Sequence, residues 1–268
     1  MRTLLGVTLS LVLVQTAPPA STARPAALTR GEMATFLREA KVLKDKEIGK
    51  GSTVPLRLTL SDGRVTHDGV FQSIDERKAL MEFANGRREV NFVDSWRYNV
   101  ASVQLAELLG IGDMMPVTIE RSYNGKKGSL SWWVETLMDE RERVQRKKEA
   151  PNPPSWNEQM QRLRVFTQLV DDTDRNLGNV LITPEWKLIM IDFSRAFRLQ
   201  PVIKQEEITR CDRRLLDALE HLQLDALTKT TAGYLTPDEA KAVIARRDLI
   251  VGHVRKLIAE KGEASVLY

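Results

Sequence analysis

The sequence predicts an α+β fold in two lobes, a small β-rich N-terminal lobe followed by a mostly helical C-terminal lobe. Three observations carry that prediction. Between residues 51 and 138, short runs of alternating apolar and polar residues come in pairs joined by tight-turn signals, with one amphipathic stretch between the pairs. A charged, proline-containing break follows at 139–154. Beyond it, over 155–268, apolar residues recur at helical spacing behind capping signals.

A chain of 268 residues, 42% hydrophobic and 28% charged, can close the core of one two-lobed domain, and this composition excludes a disordered chain or a polytopic membrane protein. The formal charge of +4 is the difference of 40 basic and 36 acidic residues mixed along the chain, without a basic stripe carrying aromatics, so no nucleic-acid partner is expected. Cys211 is the only cysteine, which excludes an internal disulfide, a cysteine zinc site and an iron–sulfur centre, and gives it a packing role. His67, His221 and His253 do not fall at metal-ligand spacing. Any metal should therefore sit on oxygen.

Arg2, the apolar run Leu4 to Val14 and the small residues Ala20 to Ala23 resemble a secretory signal over 1–23. The run is short of the roughly 20 residues a bilayer span needs, so cleavage, export to a periplasmic or extracellular space and a mature chain without a membrane span are expected. An uncleaved N-terminal anchor is the alternative. Residues 24–50 form a leader segment with a helix whose face carries Met33, Phe36, Leu37 and Ala40. Gly49-Lys-Gly51-Ser-Thr is either a phosphate-approaching glycine turn or ordinary turn chemistry. Alternation from Val54 to Leu60, the Ser61-Asp-Gly63 turn and Val70-Phe71 predict a β-hairpin. A helix capped by Asp94 or Ser95 should run through Tyr98, Ala101, Leu105 and Leu108 to Gly110. Pro116 to Arg121 and Leu130 to Glu135, joined through Asn124-Gly125, predict a second strand pair. After the 139–154 linker, Ser155 and Glu158 read as a capping box for a helix burying Met160, Leu163, Phe166, Leu169 and Val170. Thr236-Pro-Asp-Glu239 opens another, through Val243, Val251, Val254 and Ile258.

The chemistry lies between these two helices. From Val170 the chain reads VDDTDRNLGNVLITPEWKLIMIDFSRAF. Asp174 and Asn179 occupy a loop that leads into a short strand, Val180 to Ile182, which turns at Thr183-Pro-Glu-Trp into a second strand, Leu188 to Ile191, ending at Asp192. A short hairpin brings Asn179 and Asp192 to one edge, with Asp174 beside them. Phosphoryl transfer uses such a set: a carboxylate and an amide to hold Mg²⁺, and a second carboxylate for the attacking hydroxyl. A polar turn after a helix explains Asp171, Asp172 and Asp174 but not the hairpin.

Asp174-Arg175, Asn179 and Ile191-Asp192-Phe193 resemble the phosphatidylinositol 3-/4-kinase superfamily and its HipA-like and secretory-pathway kinase relatives. The resemblance implies a protein-kinase-like fold, ATP with Mg²⁺ or Mn²⁺ as cofactors, and a hydroxyl-bearing substrate that is a protein, a lipid or a small molecule. It also implies that Asp174 is the catalytic base, Arg175 the loop brace, and Asn179 and Asp192 the metal ligands. The sequence departs from that pattern at Asn176, where histidine is common, and at Ser194, where glycine is. The more serious departure is the Lys–Glu pair expected to hold the phosphates, which falls on the neutral Gln72 and Asn99. Lys78, with Glu89 or Glu107, is the alternative. Trp133 and the backbone near Glu135 fall where the adenine pocket is expected, with Trp132 and Trp133 otherwise split between core and surface. Two functions compete: an exported atypical kinase, and a pseudokinase that binds nucleotide, metal or a partner protein without catalysis.

Overall fold

A computed structural model describes residues 28–49, 54–83, 85, 86 and 88–268. The segment read as a secretory signal and the Lys50 to Thr53 part of the glycine turn lie outside the described residues. Thr29 caps helix α1 (Arg30–Glu39) in a reciprocal box with Glu32, and the helix buries Phe36 and Leu37. The leader does not end there. The chain continues into strand β1 (Lys41–Glu47), which the sequence did not announce because six of its seven side chains are exposed and its alternation carries no apolar face.

Strands β2 (Leu56–Ser61) and β3 (Thr66–Gln72) form the expected hairpin, with Leu58 and Leu60 fully buried. A second hairpin, β4 (Asp75–Glu82) and β5 (Arg88–Ser95), follows. Its charged, largely exposed β4 hid it from the hydrophobic pattern. Helix α2 (Trp96–Leu108) is capped by Ser95, whose hydroxyl accepts from the Arg97 N–H. Strands β6 (Thr118–Tyr123) and β7 (Lys126–Trp132) turn through Asn124 and Gly125, both at positive φ, as a two-residue hairpin of this hand requires. The strands order as β1-β2-β3-β7-β6, antiparallel throughout, while β4 and β5 form a separate ribbon. Where β3 meets β7, a Cβ on Gly128 would lie 2.3 Å from the Gln72 carbonyl oxygen, so only glycine permits that approach.

Residues 133–137 connect β7 to β8 (Met138–Asp139). The stretch read as a linker then folds: Asp139 caps helix α3 (Glu140–Gln145), and Glu140 pairs with Arg143 at 2.6 Å. Helix α4 (Pro153–Val170) starts earlier than expected, capped by Asn152 with Pro153 in its first turn, and Ser155 only donates its backbone N–H to that cap. Strands β9 (Val180–Ile182) and β10 (Leu188–Met190) pair as anticipated and β8 joins them. After a largely irregular segment over 191–212 the chain is mostly helical: α5 (Arg213–His221), α6 (Leu224–Thr230), α7 (Pro237–Lys261) and α8 (Glu263–Val266). The Thr236–Glu239 capping box opens α7 as predicted. Among the described residues no helix is long and apolar enough to cross a membrane.

Two cores result. The smaller packs α1 against the five-stranded sheet through Phe36, Leu37, Leu58, Phe71 and Leu130. The larger joins α4, α7 and the β9–β10 hairpin, and α2 contributes Tyr98, Ala101 and Leu105 to it. Full burial of each leucine or phenylalanine among them contributes about 1.5–3 kcal/mol. Helix α2 thus belongs to the helical lobe by packing while resting on β6 and β7, and so bridges the two lobes beside the cleft.

Candidate active site

Helix α4 ends at Asp171, in the left-handed conformation at φ 47°, which turns the chain out of the helix. Asp172 folds back, its side chain without solvent exposure, against Arg175 at 2.5 Å. Burial pushes the Asp172 carboxyl up, and the Arg175 guanidinium opposes that shift. Asp172 Oδ1 also accepts from the Asp174 N–H at 3.1 Å. Arg175 ties the loop to the hairpin beyond it. Nη1 donates to the carbonyls of Asn179 (2.9 Å) and Ile191 (2.7 Å), Nη2 to that of Asp192 (3.3 Å), and the guanidinium lies 4.1 Å from the centre of the Phe193 ring.

The hairpin brings Asn179 and Asp192 to one edge, and both line a cleft of about 340 Å³ between the lobes. Asn179 Nδ2 donates to the Asp174 carbonyl at 3.4 Å, which leaves its Oδ1 free to face a ligand. Asp192 sits at φ 56° and its Oδ1 is buried without a hydrogen-bond partner. A buried carboxylate oxygen with no donor is costly unless a cation completes it, so this donor set fits a hard, oxygen-seeking ion. Among the described residues no three Asp, Glu, His or Cys side chains converge to hold a metal alone, so most ligands of such an ion must come from elsewhere. Asp174 is exposed and is absent from the cleft lining.

Across the cleft, Asn99 on α2 joins three elements. Its Nδ2 donates to Gln72 Oε1 on β3 at 2.5 Å and to Ser129 Oγ on β7 at 3.3 Å, and its Oδ1 accepts from the Phe193 N–H at 2.7 Å. Gln72 and Asn99 are therefore the paired groups, uncharged. The alternatives lie elsewhere: Lys78 pairs with Glu76, Glu89 with Arg195 and Arg198, and Glu107 with Arg30. Among the described residues no Lys or Arg lines the cleft.

Both tryptophans border it, and Trp132 also packs on the smaller core, edge-on to Phe36, while Trp133 does not. Trp132 stacks on His67 with centroids 3.7 Å apart, and Trp133 lies under the Arg57 guanidinium at 4.0 Å. Val134 and Thr136 face the cleft while Glu135 between them is exposed and does not.

Asp94 is the acidic residue whose place sequence reasoning missed. It was read as a helix cap. Ser95 takes that role, and Asp94 is left 8% exposed with Oδ1 unpartnered. Burial pushes its carboxyl up, and the charges of Asp192 and Asp174 push the same way, against a hydrogen bond from Ser194 and the charge of Arg195. The two adjacent capping candidates were the available signal: when one caps, the other is spare.

No family model and no curated protein matches the sequence. Solved structures do match. A hydra Fam20 determined with sugar superposes at TM-score 0.64, with 16% identity over 89% of this chain and 91% of that one. The Golgi casein kinase with Mn/ADP bound gives 0.61, with 12% identity over 89% of this chain and 78% of that one. The fold is that of the atypical, secretory-pathway type of kinase. The Helicobacter pylori proinflammatory kinase CtkA shares it at 0.51, with 10% identity over 84% of this chain and 98% of that one. In this kinase-like fold, Asn179, the β9–β10 hairpin and Asp192 form one side of the interlobe cleft, and Gln72 and Asn99 the other.

Proposed function

We propose that the protein is an exported, metal-dependent kinase that transfers the γ-phosphate of ATP to a hydroxyl acceptor. The observation that carries this reading is the pair Asn179 and Asp192: both line the interlobe cleft, and each keeps one oxygen outside the internal hydrogen-bond network. A divalent cation bound there supplies positive charge that draws together the phosphate oxygens. Asn179 Oδ1 and Asp192 Oδ1 are its ligands in this account. Asp174, exposed on the same loop, orients the acceptor hydroxyl and takes its proton. Arg175 holds the three in register through the carbonyls of Asn179, Ile191 and Asp192. Trp133, Val134 and Thr136 bound the space for the base, with Glu135 turned away from it. Neighbours named as a casein kinase and as a complex with sugar keep protein and sugar hydroxyls among the acceptors.

A second reading has its own observation. The uncharged Gln72–Asn99 pair and the lack of a Lys or Arg among the described cleft residues suit a pseudokinase that binds nucleotide without turnover. Incubation of the purified protein with labelled ATP and Mg²⁺ or Mn²⁺ separates the two. The kinase reading expects autophosphorylation or ATP turnover that Asp174→Ala removes. ATP-dependent thermal stabilisation without any turnover leaves the pseudokinase.

A further inference from the structure

The chain beyond Asp192 is fixed on several sides. The Ser194 carbonyl accepts from the Ser95 N–H at 2.9 Å, and Phe197 donates its N–H to the Val170 carbonyl at 2.6 Å. Arg246 on α7, fully buried, donates to the carbonyls of Arg198 (2.6 Å) and Gln200 (2.9 Å). From the β4–β5 ribbon comes one anion. Glu89 Oε2 accepts from Arg195 at 2.6 Å and its Oε1 accepts from Arg198, the three side chains being 19%, 9% and 10% exposed. Arg198 also donates to the Asn91 carbonyl at 2.9 Å and to Thr173 Oγ1 at 3.4 Å, and Thr173 in turn donates to the Arg195 carbonyl at 3.1 Å. Thr173 adjoins Asp174. The position of the loop that bears Asp174 is therefore linked, through two arginines, to a carboxylate on a ribbon far away in sequence.

Two guanidiniums this little exposed and this close repel unless an anion lies between them. In many phosphotransfer enzymes a phosphate added to this segment supplies such an anion. Here the residues from 193 to 212 contain two hydroxyls, Ser194 and Thr209. Ser194 is 6% exposed, and Thr209 Oγ1 accepts from Gln161 at 3.2 Å. We propose that Glu89 is a positioning residue, a carboxylate built into the fold that orders the segment after Asp192 without phosphorylation of that segment and, through Thr173, the Asp174 loop. This rests on the phosphotransfer reading for its effect on rate, though not for its effect on order.

The test uses full-length protein treated with phosphatase and shown to be unphosphorylated by intact mass. Residues 193–200 should resist amide hydrogen exchange, and turnover should equal that of untreated protein. Glu89→Gln should lower kcat roughly tenfold to a hundredfold, the range expected when a catalytic group is misplaced, while ADP affinity stays unchanged and exchange rises in 193–200 but not in β9–β10. Glu89→Asp, which keeps the charge on a shorter arm, should recover part of the loss, and it replaces Glu89→Gln if that variant does not fold. Unchanged kcat and exchange in these variants, or activity abolished by phosphatase, would overturn the proposal. Wild-type protein without turnover would instead sink the phosphotransfer reading, and the exchange measurements would still decide whether Glu89 orders the segment.

Discussion

Asn99 Oδ1 lies 2.7 Å from the backbone nitrogen of Phe193, so a neutral side chain on the helix between the lobes fixes the residue that follows Asp192. The same amide reaches Gln72 on the sheet. One asparagine therefore sets the distance between the sheet and the proposed metal ligand, a task for which charge is not required.

Replacing Asn99 with leucine, similar in size, should leave the Phe193 N–H buried without an acceptor. Loss of that acceptor and of the donors to Gln72 and Ser129 should cost about 3 kcal/mol. Chemical denaturation checks it, and a loss below about 1 kcal/mol would mean that the contacts form weakly in solution.

Gln72→Lys places an ammonium beside the cleft where the described residues offer no cation. Affinity for ADP with Mn²⁺ should rise roughly tenfold, in line with one charge-assisted hydrogen bond to a phosphate. Titration calorimetry measures it. Weaker binding would place the phosphates away from Gln72.

His67, packed flat on Trp132, has its pKa lowered by burial, with the Trp133 carbonyl and Asp68 pulling it back. The folded protein therefore takes up a proton less readily than the unfolded chain. His67 stability is full above the unfolded value near 6.5 and is lost as pH falls from there toward the lower folded value. The difference in melting temperature between wild type and His67→Gln should shrink as pH drops below about 6.5, and a difference independent of pH would contradict this sign.

Cys211 is fully buried, and burial pushes its thiol up to about 12. Iodoacetamide at pH 8 should not label native protein and should label unfolded protein completely, which makes the lone cysteine a reporter of opening in the helical lobe. Fast native labelling would show that this lobe opens locally.

Legibility followed the hydrophobic pattern. The strand pairs β2–β3 and β6–β7, helix α2 and the β9–β10 hairpin each have a buried face or a turn with special dihedrals, and all were visible. Strand β1, the β4–β5 ribbon and helix α3 were not, because they are mostly exposed and charged and are held by partners distant in sequence. The β4–β5 ribbon pairs Arg77 with Glu239 and Glu89 with Arg195, contacts that no local periodicity encodes. At the site, spacing alone brought Asn179 and Asp192 to one edge. The place of Asp94 needed to be known from which of two neighbours caps α2.

In the proposed function, Asp192 and Asn179 hold a metal–nucleotide pair in the interlobe cleft. Calorimetric titration of ADP into the full chain, with and without Mn²⁺, decides whether they do. Binding should require Mn²⁺, disappear in Asp192→Asn and persist in Asp174→Asn. No binding under either condition, or metal-independent binding that Asp192→Asn leaves intact, would contradict the account.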